Sequence, residues 1–149
     1  NVTGILIATH HNLAEAFRET VEMIAGKHDF VESVGLRAGQ DPEAFGQLIA
    51  DKVEQFHQRG HEEVVVMLDL FGGTPCNQSA FVLNEQITVL TGMNLPMVME
   101  CLGLRMGGEI STDTLEETAK TGIVNFNKML EEKKKAGRSR RRSKEETAE

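Results

Sequence analysis

The run Val64-Val65-Val66-Met67-Leu68 constrains this chain more than any other feature. Five consecutive apolar residues, three of them β-branched, make a strand with no polar face, so it must be covered on both sides. The stretch from Thr3 to Ala8 has the same character. Strands buried on both faces belong to parallel sheets, whose crossover helices lie above and below.

The rest of the chain supplies those helices. After Asn12, the spacing in LAEAFRETVEMIAG predicts a helix that Gly26 stops, with Glu15 at capping-box distance from Asn12. FVESVGL, from Phe30, alternates like a second strand. Asp41-Pro42 reads as a cap followed by a proline at the first helical position, and that helix runs to about Arg59 before Gly60. A loop, LFGGTPCN, opens a further helix after the Val64 strand. A fourth strand lies around Ile87 to Thr91, and a helix begins at Leu95-Pro96. Asp113 with Glu116 caps one more helix, and IVNF at Ile123–Phe126 suits either a helix or a short edge strand. Strand and helix alternate four times. The fold class is therefore α/β: an open parallel sheet with helices on both faces, and the common strand order is 2-1-3-4.

The length of 149 residues fits one domain, and no apolar run approaches the ~18 residues that span a bilayer. Cys76 and Cys101 make no metal-type pair, so reduced thiols in a cytoplasm are expected. Charge is uneven. Residues 1–130 carry 8 Lys and Arg against 18 Asp and Glu, whereas residues 131–149 carry 8 against 5. The acidic body argues against nucleic acid as a main partner. The expected boundary is a domain over 1–130 and a charged, disordered tail over 131–149. The basic run of that tail suits RNA or a membrane surface, or no partner at all as a solvated extension of the last helix.

In an open parallel sheet, ligands gather at the carboxyl ends of the strands where the order reverses, here between the first and third. The first strand ends in Thr9-His10 and the third in Asp69, followed by Gly72, Gly73 and Thr74. Histidine is nucleophilic at neutral pH, and a carboxylate on one ring nitrogen leaves the lone pair of the other free. Asp69 is placed for that role. The two glycines permit close backbone approach, Thr74 offers a hydroxyl and a cap, and Pro75 suits the first helical position. Free N–H groups at such a helix start form an anion site. Together these residues suggest phosphoryl transfer through a phosphohistidine on His10, oriented by Asp69. Thr74, Gly72, Gly73 and Thr9 are the candidate phosphate contacts, and no metal or cofactor is expected. His28, His57 and His61 are read as solvated, Met93, Met97, Met99 and Met106 as core filling near the rim, and Cys76 as a small packing residue.

At these residues the chain resembles the IIA domain of the mannose-family (mannose, fructose, sorbose) sugar phosphotransferase system, over nearly its whole length to about residue 130. GILIATHH resembles the strand ending in the phosphorylated histidine. VVVMLDLFGGTPCNQSA and LTGMNLPMVME resemble the second and third signatures, in order and at the expected separations. The resemblance implies that His10 accepts a phosphoryl group on Nε2 from the phosphohistidine carrier HPr and passes it to a IIB component, with Asp69 holding Nδ1. It implies membrane IIC and IID components reached through IIB. It also implies a homodimer exchanging a C-terminal antiparallel edge strand, which favours the strand reading of Ile123–Phe126. His11 stands where many members have a small residue; His10 ends the strand and is favoured as the acceptor. The charged tail replaces the Ala/Pro-rich linker of fused members, so a free-standing IIA with a separate IIB partner is expected. Two other readings are a phosphoryl relay subunit of a dihydroxyacetone kinase and a non-catalytic, phosphate-gated regulatory module.

Overall fold

The structure, a computed structural model, describes residues 3–148. Asn1, Val2 and Glu149, at the outer ends of the two expected segments, lie outside the described residues. The elements run β1 (Gly4–His10), α1 (Leu13–Ala25), β2 (Val31–Leu36), α2 (Pro42–Gln58), β3 (Val64–Leu68), α3 (Gly73–Ser79), β4 (Ile87–Leu90), α4 (Leu95–Met106), α5 (Thr112–Thr121) and α6 (Phe126–Ala148). Sheet order is β2-β1-β3-β4, and each of the three pairings is parallel.

Two apolar layers sandwich the sheet, and strand alternation assigns residues to them. Ile5 and Ile7 of β1 with Val65 and Met67 of β3 pack against α1, α4 and α5. Leu6 and Ala8 with Val64, Val66 and Leu68 pack against α2 and α3. All five residues of β3 are buried, as their lack of a polar face requires. Helix α2 buries Phe45, Ile49, Val53 and Phe56, a stripe at three- and four-residue spacing, and each large side chain contributes about 1.5–3 kcal/mol. Its start is as expected: the Asp41 carboxylate accepts from the Ala44 N–H at 3.0 Å, with Pro42 in the first position. Cys101 is buried in the α4 layer, and that burial pushes its thiol up to about 12, so it stays protonated and serves as packing.

Several expectations are corrected. Among the described residues the sheet has four strands, and no antiparallel edge strand joins it. Residues 123–125 form no strand, and Phe126 already opens α6. An isolated segment cannot satisfy strand hydrogen bonds, and within this chain 123–125 pair with no strand. Outside these corrections, residues 131–148 continue α6, with every described side chain exposed, as a solvated extension of the last helix would be. The cap of α5 is Ser111, whose Oγ accepts from the Thr114 N–H at 3.3 Å; Asp113 lies inside the first turn. His61 is buried, edge-on to Phe56 at 5.7 Å, not solvated. Met93 and Met97 fill the core, but Met106 is exposed at the end of α4.

One glycine fixes how closely β2 approaches the end of β1. A Cβ on Gly35 would lie 2.0 Å from the carbonyl oxygen of His11. The His11 N–H donates to the Leu36 carbonyl at 2.7 Å, so that approach is bonded as well as tight. Gly35→Ala must push backbone against backbone. It is expected to destabilise the chain by about 1–3 kcal/mol, read as a lower urea midpoint at unchanged slope.

Candidate functional site

The site follows from register. β1 and β3 pair in parallel with Ala8 level with Leu68, so Asp69 emerges beside Thr9 and His10. Alternation then sorts the two. Leu6 and Ala8 face the α2/α3 layer, so His10 continues that side toward α3, while Thr9 turns to the α1 side. Helices α1 and α3 leave β1 and β3 toward opposite faces, which opens a crevice at the rim.

In that crevice one carboxylate oxygen holds His10 twice. Asp69 Oδ2 accepts from the His10 backbone N–H at 3.1 Å and lies 3.1 Å from ring Nδ1. An ionised carboxylate only accepts, so Nδ1 carries the proton and Nε2 presents its lone pair. The double contact fixes both the backbone and the ring. Asp69 Oδ1 is buried with no hydrogen-bond partner among the described residues, which leaves the carboxylate charge poorly solvated and directed at the ring. The His10 side chain is 42% exposed against 15% for Asp69, so the orienting acid is sheltered and the nucleophile is reachable.

Beyond Nε2 stands Gly73. A Cβ at Gly73 would lie 3.3 Å from both Nε2 and Cε1, so the imidazole edge faces bare backbone. Gly72 and Gly73 have φ of +82° and +77°, in the left-handed region that glycine tolerates best. Gly72 is the N-cap of α3, and among the described residues no side chain caps the first turn, which begins in front of Nε2. Thr74 is the second residue of that turn rather than its cap, and its hydroxyl makes no hydrogen bond within the described residues. Pro75 is third, and buried. Cys76 packs against the α2/α3 layer as a small residue.

Thr9 does not join this group. It is fully buried, its Oγ1 accepts from the Ala14 N–H at 2.7 Å and donates to the His10 carbonyl at 3.1 Å. It caps α1 in place of Asn12, whose side chain makes no cap bond. The sequence carried a signal for this only through His11, which takes φ +54° and folds the chain back so that a threonine five residues upstream reaches Ala14. The His11 side chain is exposed and, among the described residues, makes no hydrogen bond or ion pair with Asp69. Thr9→Val keeps the volume but orphans a buried N–H. It is expected to cost about 1–3 kcal/mol in thermal or urea unfolding.

The family model PTS system fructose IIA component (EIIA-man) matches residues 4–120. The chain belongs to the EIIA-man family. It is 31% identical over 108 residues to the PTS system fructose-specific EIIA component of Bacillus subtilis (strain 168), covering 68% of this chain and 70% of that one. It is 36% identical over 105 residues to the sorbose-specific EIIA component of Lacticaseibacillus casei, covering 64% and 69%. Its fold matches the crystal structure of the PTS IIA protein associated with the fucose utilization operon from Streptococcus pneumoniae. There the TM-score is 0.78 at 28% identity, over 87% of this chain and 96% of that one. This IIA domain is thus a phosphocarrier component in sugar uptake, and a phosphotransferase in kind. The family match does not favour the dihydroxyacetone kinase relay or the regulatory module.

Proposed function

We propose that this IIA domain carries its phosphoryl group on Nε2 of His10, taken from phospho-HPr and given to a IIB component that serves membrane IIC and IID partners. The observation that carries the reading is the bond from Nδ1 to Asp69, which frees Nε2 beside the uncapped start of α3. The Nε2 lone pair attacks phosphorus and the N–P bond forms. The P–N bond of phospho-HPr breaks, and its electron pair returns to the donor ring. The product ring, with Nδ1 still protonated, is cationic, and Asp69 offsets that charge. The N–H groups of Gly73 and Thr74, with the Thr74 hydroxyl, hold the phosphoryl oxygens as charge shifts between rings. Transfer to IIB repeats the exchange in reverse. The sequence of steps needs positioning and charge stabilisation only.

The reading includes a homodimer and a cytoplasmic location. β4 is a sheet edge, and a groove of about 500 Å³ beside it is lined by Phe71, Val89, Met97 and Ile123. Ile123, Val124 and Phe126 are exposed apolar residues just past α5, and a second copy seated on this face would cover them. No helix among the described residues is long and apolar enough to cross a membrane.

The test is to incubate the chain with phosphoenolpyruvate, enzyme I and HPr and to map the modified residue. An acid-labile phosphate on His10 that passes to a IIB protein supports the reading. Label on another residue, or label that stays on the chain when IIB is added, overturns it.

A further inference from the structure

The proposed transport role leaves the C-terminal helix without a task. Between Lys133 and Lys144 the chain carries eight cations (Lys133, Lys134, Lys135, Arg138, Arg140, Arg141, Arg142 and Lys144) and no acid. Helix α6 places them over about 17 Å at 1.5 Å per residue. Every described residue from Leu130 to Thr147 is exposed. Among the described residues only Lys134 has an ion-pair partner in this run, Glu131 at 3.8 Å.

Such a helix repels itself. Lys134 and Arg138, Arg138 and Arg142, and Arg140 and Lys144 are like charges one turn apart, each pair opposing helix formation. An extended array of fixed anions relieves that repulsion and releases counterions. The body cannot supply the array, because its acids are scattered over 1–130 and, among the described residues, none of them forms an ion pair with a cation of α6.

We infer that α6 docks this carrier on an anionic lipid surface, through Lys133–Lys144. Two features favour a bilayer over nucleic acid. The run from 131 to 149 holds no aromatic residue, so it lacks the stacking platform on which single-stranded binders lay their bases. The acidic body, 18 acids against 8 bases over residues 1–130, is repelled by any polyanion that would wrap it, and tolerates best a flat surface touched by the projecting helix alone. The helix does not insert: from 131 to 149 its only apolar side chains are alanines. Attachment is electrostatic and reversible, and it holds the phosphocarrier near membrane-embedded partners. The inference rests on the transport reading for its purpose but not for its measurement.

The experiment is co-sedimentation of the full chain with phosphatidylcholine vesicles, with and without phosphatidylglycerol. Binding is expected only with the anionic lipid, with a gain in helical circular dichroism, and release at about 0.5 M salt. The variant with Arg138→Gln, Arg140→Gln, Arg141→Gln and Arg142→Gln is expected to bind at least ~100-fold more weakly. Its labelling by phospho-HPr should be unchanged. No binding, equal binding to both vesicle types, or displacement from vesicles by an equal charge of duplex RNA would each overturn the inference. A chain that binds vesicles but is not labelled by phospho-HPr refutes the transport reading alone; one that is labelled but does not bind refutes the docking alone.

Discussion

Replacing His10 by alanine is expected to erase phosphoryl acceptance, with a loss of at least ~10³-fold against the unmodified chain when label from phospho-HPr is followed in time. No neighbour can substitute. The reacting atom must sit where Gly73 leaves bare backbone, about one van der Waals contact from Nε2. His11 is the only competing imidazole in the sequence nearby, but it occupies a left-handed turn at φ +54° with its side chain exposed and without the Asp69 bond. The control is therefore His11→Asn, since asparagine tolerates that backbone region and keeps the turn intact. Its labelling is expected to stay within about twofold of the parent. The reverse pattern, with His10→Ala labelled and His11→Asn silent, would sink the assignment of the acceptor.

The second large effect belongs to Asp69. Asp69→Asn is nearly isosteric, and its carbonyl can still accept from the His10 backbone N–H, so the β1–β3 rim is expected to keep its shape. The ring contact changes in kind. With the amide oxygen in the Oδ2 place both contacts keep their acceptor, but a neutral oxygen holds the Nδ1 proton more weakly than a carboxylate does, so the tautomer with its proton on Nε2, which lacks the nucleophilic lone pair, gains population. The amide also carries no charge to offset the cationic phosphorylated ring. Phosphoryl transfer is expected to slow by about 10²–10⁴, while the free energy of unfolding changes by less than about 1 kcal/mol. Measuring both on the same preparation separates chemistry from folding. A rate within about threefold of the parent would show that Asp69 does not orient the ring. A rate loss matched by a large loss of stability would mean that its bond to the His10 backbone matters more than its bond to the imidazole.

Much of this was legible before any coordinates, for one physical reason: it depended on local pattern. The apolar run Val64–Leu68 demanded burial on both faces, helix periods filled the gaps, and the strand order then brought His10 and Asp69 to one rim. Asp41 caps its helix, accepting from Ala44 at 3.0 Å, with Pro42 next to it in the first position, a pairing that neighbours in sequence supply. What escaped depended on groups that meet across the fold. Thr9 looked like a phosphate ligand beside His10. Strand alternation sends it to the other face, and a left-handed turn at His11 then gives it a helix to cap. Gly35 carried no visible purpose until the His11 carbonyl was found where its side chain would be. His61 follows a glycine turn and read as solvated, yet it packs on Phe56.

Residue order alone settled the alternation of strand and helix, the acidic body with its cationic extension, and the family-specific run of Asp, two glycines, threonine and proline. Those properties reside in a few adjacent side chains and survive without long-range contacts. Three-dimensional packing settled which oxygen of Asp69 grips the ring, which edge of His10 is open, and which residues merely support the turn. Those are distances between atoms up to 59 residues apart, and only closure of the sheet around its two apolar layers sets them.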